Sequence, residues 1–266
     1  MNHSFPPVPD PLPVEAFDSH CHLDLLDVPV SEAVAAAHAV GIRRILTVGV
    51  DLASSHWAAE CGQMYDDVWA AAAIHPNETR AANDVALEEV ARIAGRAAVR
   101  AVGETGLDYY RDWADPADQQ RSFRAHIDIA KRIDKTLVIH DREAHRDVLR
   151  ILEEEGAPDR VVFHCFSGDA ELAKRCADAG YVMSFAGNVT FKNAVELREA
   201  AAVAPLDLLL VETDAPFLTP MPYRGKPNAP YLAPLTLRCI AEVKEVDVAE
   251  VCAATSATGE RLFGPW

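Results

Sequence analysis

No stretch of the 266-residue chain approaches the roughly 20 uninterrupted apolar residues that a membrane-crossing helix requires. The opening MNHSFPPVPDPLP is proline-rich where a secretion signal has a basic start and an apolar middle. These two absences predict a soluble, unexported, cytoplasmic protein, with a short flexible leader over residues 1–15 and a single domain over 16–266. The six cysteines never fall in a C-x-x-C pair. Isolated within strand-like and helix-like segments, they read as small buried hydrophobes in a reducing compartment. No G-x-G-x-x-G, P-loop or G-x-S-x-G occurs, which removes the usual dinucleotide and nucleotide cradles and the serine-hydrolase elbow. Basic charge is scarce: 25 Lys and Arg face 41 Asp and Glu, for a net charge of −16. A broad basic surface for long duplex nucleic acid is therefore not expected. A local positive pocket is still possible, because bound divalent ions can supply the charge that receives a phosphate.

What is present is an alternation of short β-branched or leucine-rich runs with longer alanine-rich segments of helical period. The predicted strands are Ala16–Cys21, Arg43–Val48, Val68–Ile74, Ala98–Glu104, Thr136–Ile139, Arg160–His164, Tyr181–Phe185 and Asp207–Thr213. Helical stretches such as SEAVAAAHAV, DVALEEVARIA, DQQRSFRAHIDIAKR and DAELAKRCADA lie between them. Eight strands with intervening helices and no strong linker predict an α/β fold, a (β/α)8 TIM barrel. The proline- and glycine-rich APFLTPMPYRGKPNAPYLAP follows the eighth strand and reads as a long active-site loop.

The first strand ends in F-D-S-H-C-H. Two residues apart on a strand, His20 and His22 point to one face and can hold one ion together. Glu104, His140, His164 and Asp214 recur at the same structural position, the C-terminal ends of strands four, five, six and eight, where barrel active sites form. Four imidazoles and two carboxylates brought together would lose hydration without cations to bind. The expected cofactor is one or two divalent ions. Two fit the ligand count better, with Glu104 as the candidate bridge. With no cysteine ligand the metal stays open between zinc, manganese and magnesium. A divalent ion acidifies a bound water and polarises the bond under attack, so hydrolysis needs no protein nucleophile. Asp214 is the candidate for orienting or deprotonating that water. Cys21 and Cys165, each beside a histidine of the set, are expected to face away from it by strand alternation.

At these residues the chain resembles the TatD family of metal-dependent deoxyribonucleases, within the amidohydrolase-like barrels. The resemblance runs through F-D-S-H-C-H, A-I-H-P-N, V-G-E-T-G-L-D-Y-Y, V-I-H-D-R-E-A, F-H-C-F-S-G-D, V-E-T-D-A-P-F-L-T-P and R-G-K-P-N-A-P. It implies a metal site at the same six residues and hydrolysis of a phosphodiester, usually in DNA. Asp141 departs from the family, which more often has serine there, and puts a carboxylate next to a metal-binding histidine.

Around this set, His75 can hold substrate or shape its loop. Arg142, Arg224 and Lys226 are the cations best placed to meet a phosphate, and equally ordinary as surface residues. Tyr109, with Asp108, can line the cleft and stack on a base, or pack its loop. Glu212 is expected to point inward beside Asp214 as a supporting acid. His38, His56, His126 and His145 are expected on the outer surface, and His3 in the leader. The expected partner is DNA as a single strand or a frayed end, and neither a membrane nor an obligate protein partner is indicated. Hydrolysis of a small amide, lactone or phosphoester, or of an RNA-linked ester, is the alternative, and a non-catalytic binding module is a third.

Overall fold

The computed structural model describes residues 5–265, so His3 lies outside the described residues. In chain order the elements are β1 (Ala16–Cys21), α1 (Val30–Ala39), β2 (Ile42–Val48), α2 (Leu52–Met64), β3 (Val68–Ala72) and α3 (Asp84–Ala94). Next come β4 (Val99–Asp108), α4 (Pro116–Arg132), β5 (Thr136–Arg142), α5 (His145–Glu155), β6 (Val161–Phe163) and α6 (Ala170–Asp178). The chain finishes with β7 (Val182–Phe185), α7 (Val195–Val203), β8 (Leu209–Val211), α8 (Ala233–Lys244) and α9 (Val248–Phe263). The strands form one eight-stranded sheet in the order β1 to β8. This is the (β/α)8 class expected from the sequence. No helix among the described residues is long and apolar enough to cross a membrane.

The chain divides into two compact units, one of residues up to 46 and from 165 onward, the other of residues 47–164. In the first, β8 lies against β1, and both strands are fully buried. The leader is anchored here as far as it is described. Leu12 donates its N–H to Val40 O at 3.0 Å and Arg238 donates to Asp10 O at 2.7 Å.

In the second unit β3, β4, β5 and β6 pair in parallel. Strands covered by helices carry no polar alternation, and VWAAA in β3 is buried at every position. The helices start where the sequence offers an oxygen to orphan N–H groups. Asp51 caps α2 in a capping box with Ser54, Asn83 caps α3, and Asp115 caps α4 ahead of Pro116.

Two strands run further than the sequence suggested. β4 continues past Glu104 to Asp108, and β5 past Ile139 to Arg142, because residues 105–108 pair with 139–142. Between them the register slips: Val102 pairs with Leu137 but Thr105 with Ile139. Gly103 and Glu104 thus share the stretch opposite Val138, a bulge that re-aims the side chain. Conversely, β8 is shorter than expected, since Leu206–Leu208 is a 3-10 turn.

His126 corrects an expectation. The sequence predicts it on the outer surface, yet it is fully buried on the inward face of α4 with Ser122, Phe123, Ile127 and Ala130. Its Nε2 accepts the Ile74 N–H at 3.1 Å and its Nδ1 lies 2.7 Å from Ser122 O. That arrangement needs the neutral ring with its proton on Nδ1, since a second proton would meet the Ile74 donor head-on. Burial accordingly pushes its pKa down to about 4. A histidine depressed in the folded state leaves stability intact above its unfolded pKa and removes it as pH falls toward the folded value. Wild-type protein should therefore lose about 2 kcal/mol more unfolding free energy than His126→Gln between pH 7 and pH 5. Urea titrations at the two pH values measure this difference, and parallel slopes would remove His126 from the acid response.

Candidate metal centre

In the first unit, the end of β1 is laced to the segment after β8. Asp214 N donates to His20 O at 2.9 Å and His22 N donates to Ala215 O at 2.8 Å. Asp214 itself turns in the left-handed region at φ 52°. Beneath this seam the fully buried Asp18 accepts from Thr213 N at 2.8 Å and from Thr213 Oγ1 at 2.6 Å. Burial pushes the Asp18 carboxyl up to about 7, against the lowering effect of the Thr213 bonds. Asn228 ties the long loop down by donating to Thr213 O at 2.8 Å and Phe217 O at 2.6 Å. The result brings His20, His22 and Asp214 together with ligand atoms within 4.8 Å of one another. His22 Nε2 stands 3.6 Å from Asp214 Oδ1. Two donors about 2.0–2.2 Å from one tetrahedral ion lie roughly 3.3–3.6 Å apart, so this pair fits two corners of a metal site.

In the second unit, one carboxylate oxygen gathers three imidazoles. Glu104 Oε1 lies 2.7 Å from His140 Nδ1, 2.8 Å from His164 Nε2 and 3.4 Å from His75 Nε2. Burial works to raise the Glu104 pKa, but the three imidazoles outweigh it and hold the carboxyl well below its ordinary range. His140 is clasped from the other side, with Nε2 3.1 Å from Asp108 Oδ2. Burial opposes its charge, and the carboxylates of Asp108 and Glu104 still hold its pKa above the ordinary value. His75 differs from its neighbours. Its Nδ1 accepts the Asn77 N–H at 3.1 Å, so the neutral ring carries its proton on Nε2, facing Glu104. It offers a hydrogen-bond donor there, not a lone pair, although its position is within reach of a shared ion.

The profile of the family described as "TatD related DNase" matches residues 17–264. The chain belongs to the TatD-related DNase family. It is 44% identical over 258 residues to a protein of Mycobacterium tuberculosis named "Uncharacterized metal-dependent hydrolase TatD", covering 93% of this chain and 97% of that one. It is 39% identical over 251 residues to the Bacillus subtilis "Uncharacterized metal-dependent hydrolase YabD", covering 93% and 98%. Among solved structures, the Escherichia coli TatD homologue YJJV superposes with a TM-score of 0.89 at 29% identity, over 94% of this chain and 98% of that one. The protein is a metal-dependent hydrolase of this family.

Several residues of this TatD-family chain were invisible or misjudged in the sequence. The sequence marks Asp108 only as a residue that can line the cleft, yet it is buried and bonds both His140 and Asn77. Burial raises its pKa, but the bond from His140 and the Arg111 N–H outweigh it and keep it below the usual range. Asp18, Thr213 and Asn228 were not singled out, although Asp18 shares strand parity with His20. Cys165 was expected to point away by alternation, but β6 ends at Phe163 and Cys165 sits at φ 43°, so alternation does not apply. Its N–H donates to Glu212 Oε1 at 2.9 Å, the supporting contact for that buried acid. No cysteine joins a metal-capable group among the described residues.

The outlying candidates also have definite places. The hydroxyl of Tyr109 donates to Asp147 Oδ2 and accepts from Gln120 Nε2, both at 2.8 Å, which commits it to α4 and α5. Asp141 lies 2.7 Å from His145 Nδ1 through its Oδ2, and His145 opens α5, so the departure from the family pattern is absorbed there. Arg142 stands over the Tyr110 ring, 4.1 Å from its centroid. Arg224 stands over Phe191 at 4.3 Å, and Lys226 lies 5.8 Å from the Tyr223 ring.

Proposed function

We propose that this protein hydrolyses phosphodiester bonds of DNA, trimming single-stranded or frayed ends as an exonuclease in the cytoplasm. The observation that carries the hydrolytic reading is the gathering of His140, His164 and His75 on one ionised oxygen of Glu104. Support for DNA comes from the family's description as DNase-related and from Arg142 two residues beyond His140. The six cysteines, none of them in a C-x-x-C pair, support a reducing compartment.

Glu104, His140 and His164 are assigned to hold one divalent ion, and His20, His22 and Asp214 another. When bound, such ions supply Lewis acidity and acidify water. The chain's own residues do the rest. Asp214 orients the attacking water or takes its proton. His75, with Nε2–H turned toward Glu104, is a donor at the substrate side. Asp108 fixes the His140 ring from its far nitrogen, the support that keeps a ligand's orientation. The net charge of −16 favours ends over long duplex, since extended phosphate contact needs a basic face.

The test is degradation of an end-labelled single-stranded oligonucleotide by protein stripped with chelator and resupplied with magnesium, manganese or zinc. Stripped protein should be inert, and one of the metals should restore a ladder whose direction gives the polarity. Failure of every metal on DNA, with simple esters or lactones still hydrolysed, would replace the nuclease reading by the small-molecule one.

A further inference from the structure

We propose that Tyr110 and Trp113, each backed by an arginine, form a stacking platform that holds a nucleobase of single-stranded DNA beside the Glu104–His140 cluster. The proposal rests on the nuclease reading and names two rings, Tyr110 and Trp113, that reading does not use.

Aromatic side chains carry large apolar areas, and exposed apolar residues that fall together mark interaction sites. Three are exposed among the described residues, Tyr110, Trp113 and Phe217, and the first two fall within four residues of one another. Tyr110 is 58% and Trp113 54% exposed. Both are paired with cations: Arg142 lies 4.1 Å from the Tyr110 centroid and Arg111 lies 4.3 Å from that of Trp113. Arg224 over Phe191 and Lys226 near Tyr223 are similar pairs, but neither of those rings is exposed. Arg92, Arg124 and Arg150 are matched to carboxylates, whereas Arg111 and Arg142 have none in reach among the described residues. Their charge remains available to a phosphate while their guanidinium carbons lie over the rings.

The segment is held, not loose. Buried Gln119 accepts the Asp108 N–H at 2.8 Å and donates to Asp108 O and Ala114 O, both at 3.1 Å, gripping the loop at both ends. Asp108 Oδ1 accepts from Tyr110 N at 3.1 Å and Arg111 N at 3.0 Å, while its Oδ2 meets His140 Nε2 at 3.1 Å. One carboxylate therefore sets both the platform and a ring of the cluster. Arg142 arrives from the neighbouring strand, where it pairs with Asp108 in the parallel ladder. Exposed rings for bases, with fixed cations for the backbone, are the pairing that single-stranded nucleic acid requires, and the stacking is tolerant of sequence. An uncharged peptide or lipid surface would use the apolar rings but not the two guanidinium groups, and an acidic one would use the guanidinium groups but offers no flat base to stack on the rings.

The metal-loaded protein and its Tyr110→Ala, Trp113→Ala and Trp113→Phe variants should be compared on a single-stranded oligonucleotide and on bis(4-nitrophenyl) phosphate, a diester without a base. Either alanine should raise the ratio of the two KM values about ten-fold or more in the direction of weakened DNA. Phenylalanine should restore most of the ratio. An oligonucleotide with abasic positions at the cleaved end should be a poorer substrate for wild type and no poorer for the alanine variants. If wild type cuts DNA and the ratio is unmoved by either alanine, the platform is wrong and the nuclease reading stands. If wild type splits the small diester but leaves DNA intact, both fall.

Discussion

Glu104→Gln lowers metal-dependent hydrolysis on the order of a thousand-fold, the scale seen when a group that stabilises charge in the reacting site is removed. The substitution keeps the shape and takes away the charge. In the wild-type protein one Glu104 oxygen faces His140, His164 and His75 at 2.7–3.4 Å. Because the imidazoles hold its pKa well below the carboxylate range, it is ionised at any working pH. An amide in its place presents a weaker, neutral acceptor or, flipped, an NH2 that opposes the donors of the rings. Three contacts are therefore weakened at once, and an anionic group of the kind a divalent ion prefers is lost. Hydrolysis of DNA and of a small diester should fall together, since the defect lies in the shared chemistry and not in recognition. Calorimetric titration with manganese or zinc should lose one binding event. Near-wild-type turnover with full metal stoichiometry would take Glu104 out of the centre.

The clusters were legible because their chemistry sits where the fold makes it visible. A histidine or carboxylate at the end of an apolar run stands out against its strand, as His20, His164 and Asp214 do. Glu104 was placed among the ligands for that reason, although β4 continues four residues past it. The sequence E-T-G-L-D lacks the β-branched density of a strand interior, so the extension depends on pairing with β5, a long-range fact. What stayed hidden was mostly a matter of facing. His126 was assigned to the surface because it is polar and helical. Yet 119, 122, 123, 126, 127 and 130 recur at helical spacing, and His126 falls on the apolar stripe they trace. Tyr109 and Tyr110 are adjacent and chemically alike, so composition could not separate them. Only the hydrogen bonds of the Tyr109 hydroxyl to α4 and α5 leave Tyr110 as the open ring. Contacts such as Thr213 to Asp18, 195 positions apart, have no local signature at all.

Gly106→Ala should be the most damaging single methyl group in the second unit, with a loss of about 4 kcal/mol from the sum of two penalties. The first is conformational. Gly106 has φ 137°, a region L-residues rarely enter, and forcing alanine into it costs roughly 1–3 kcal/mol. The second is steric. A Cβ there would stand 2.1 Å from His140 O and 3.0 Å from His140 C, and these are backbone atoms of the paired strand that cannot rotate away. Relief requires β5 to move, at about 1–3 kcal/mol for such overpacking, and the residue displaced is His140 itself. The same methyl group should therefore depress turnover even in the folded fraction, because a strand shifted by an ångström misplaces the group it carries. Gly180→Ala is the matched control. Gly180 also has positive φ, at 74°, but nothing lies within 4 Å of its added Cβ, so only the conformational cost of about 1 kcal/mol applies. Urea midpoints for the two variants, with activity measured well below each midpoint, separate the penalties. Equal midpoints would mean that β4 and β5 have the slack to admit a side chain at 106. Unequal midpoints with full turnover in folded Gly106→Ala would mean that His140 need not be held as closely as its contacts with Glu104 and Asp108 suggest.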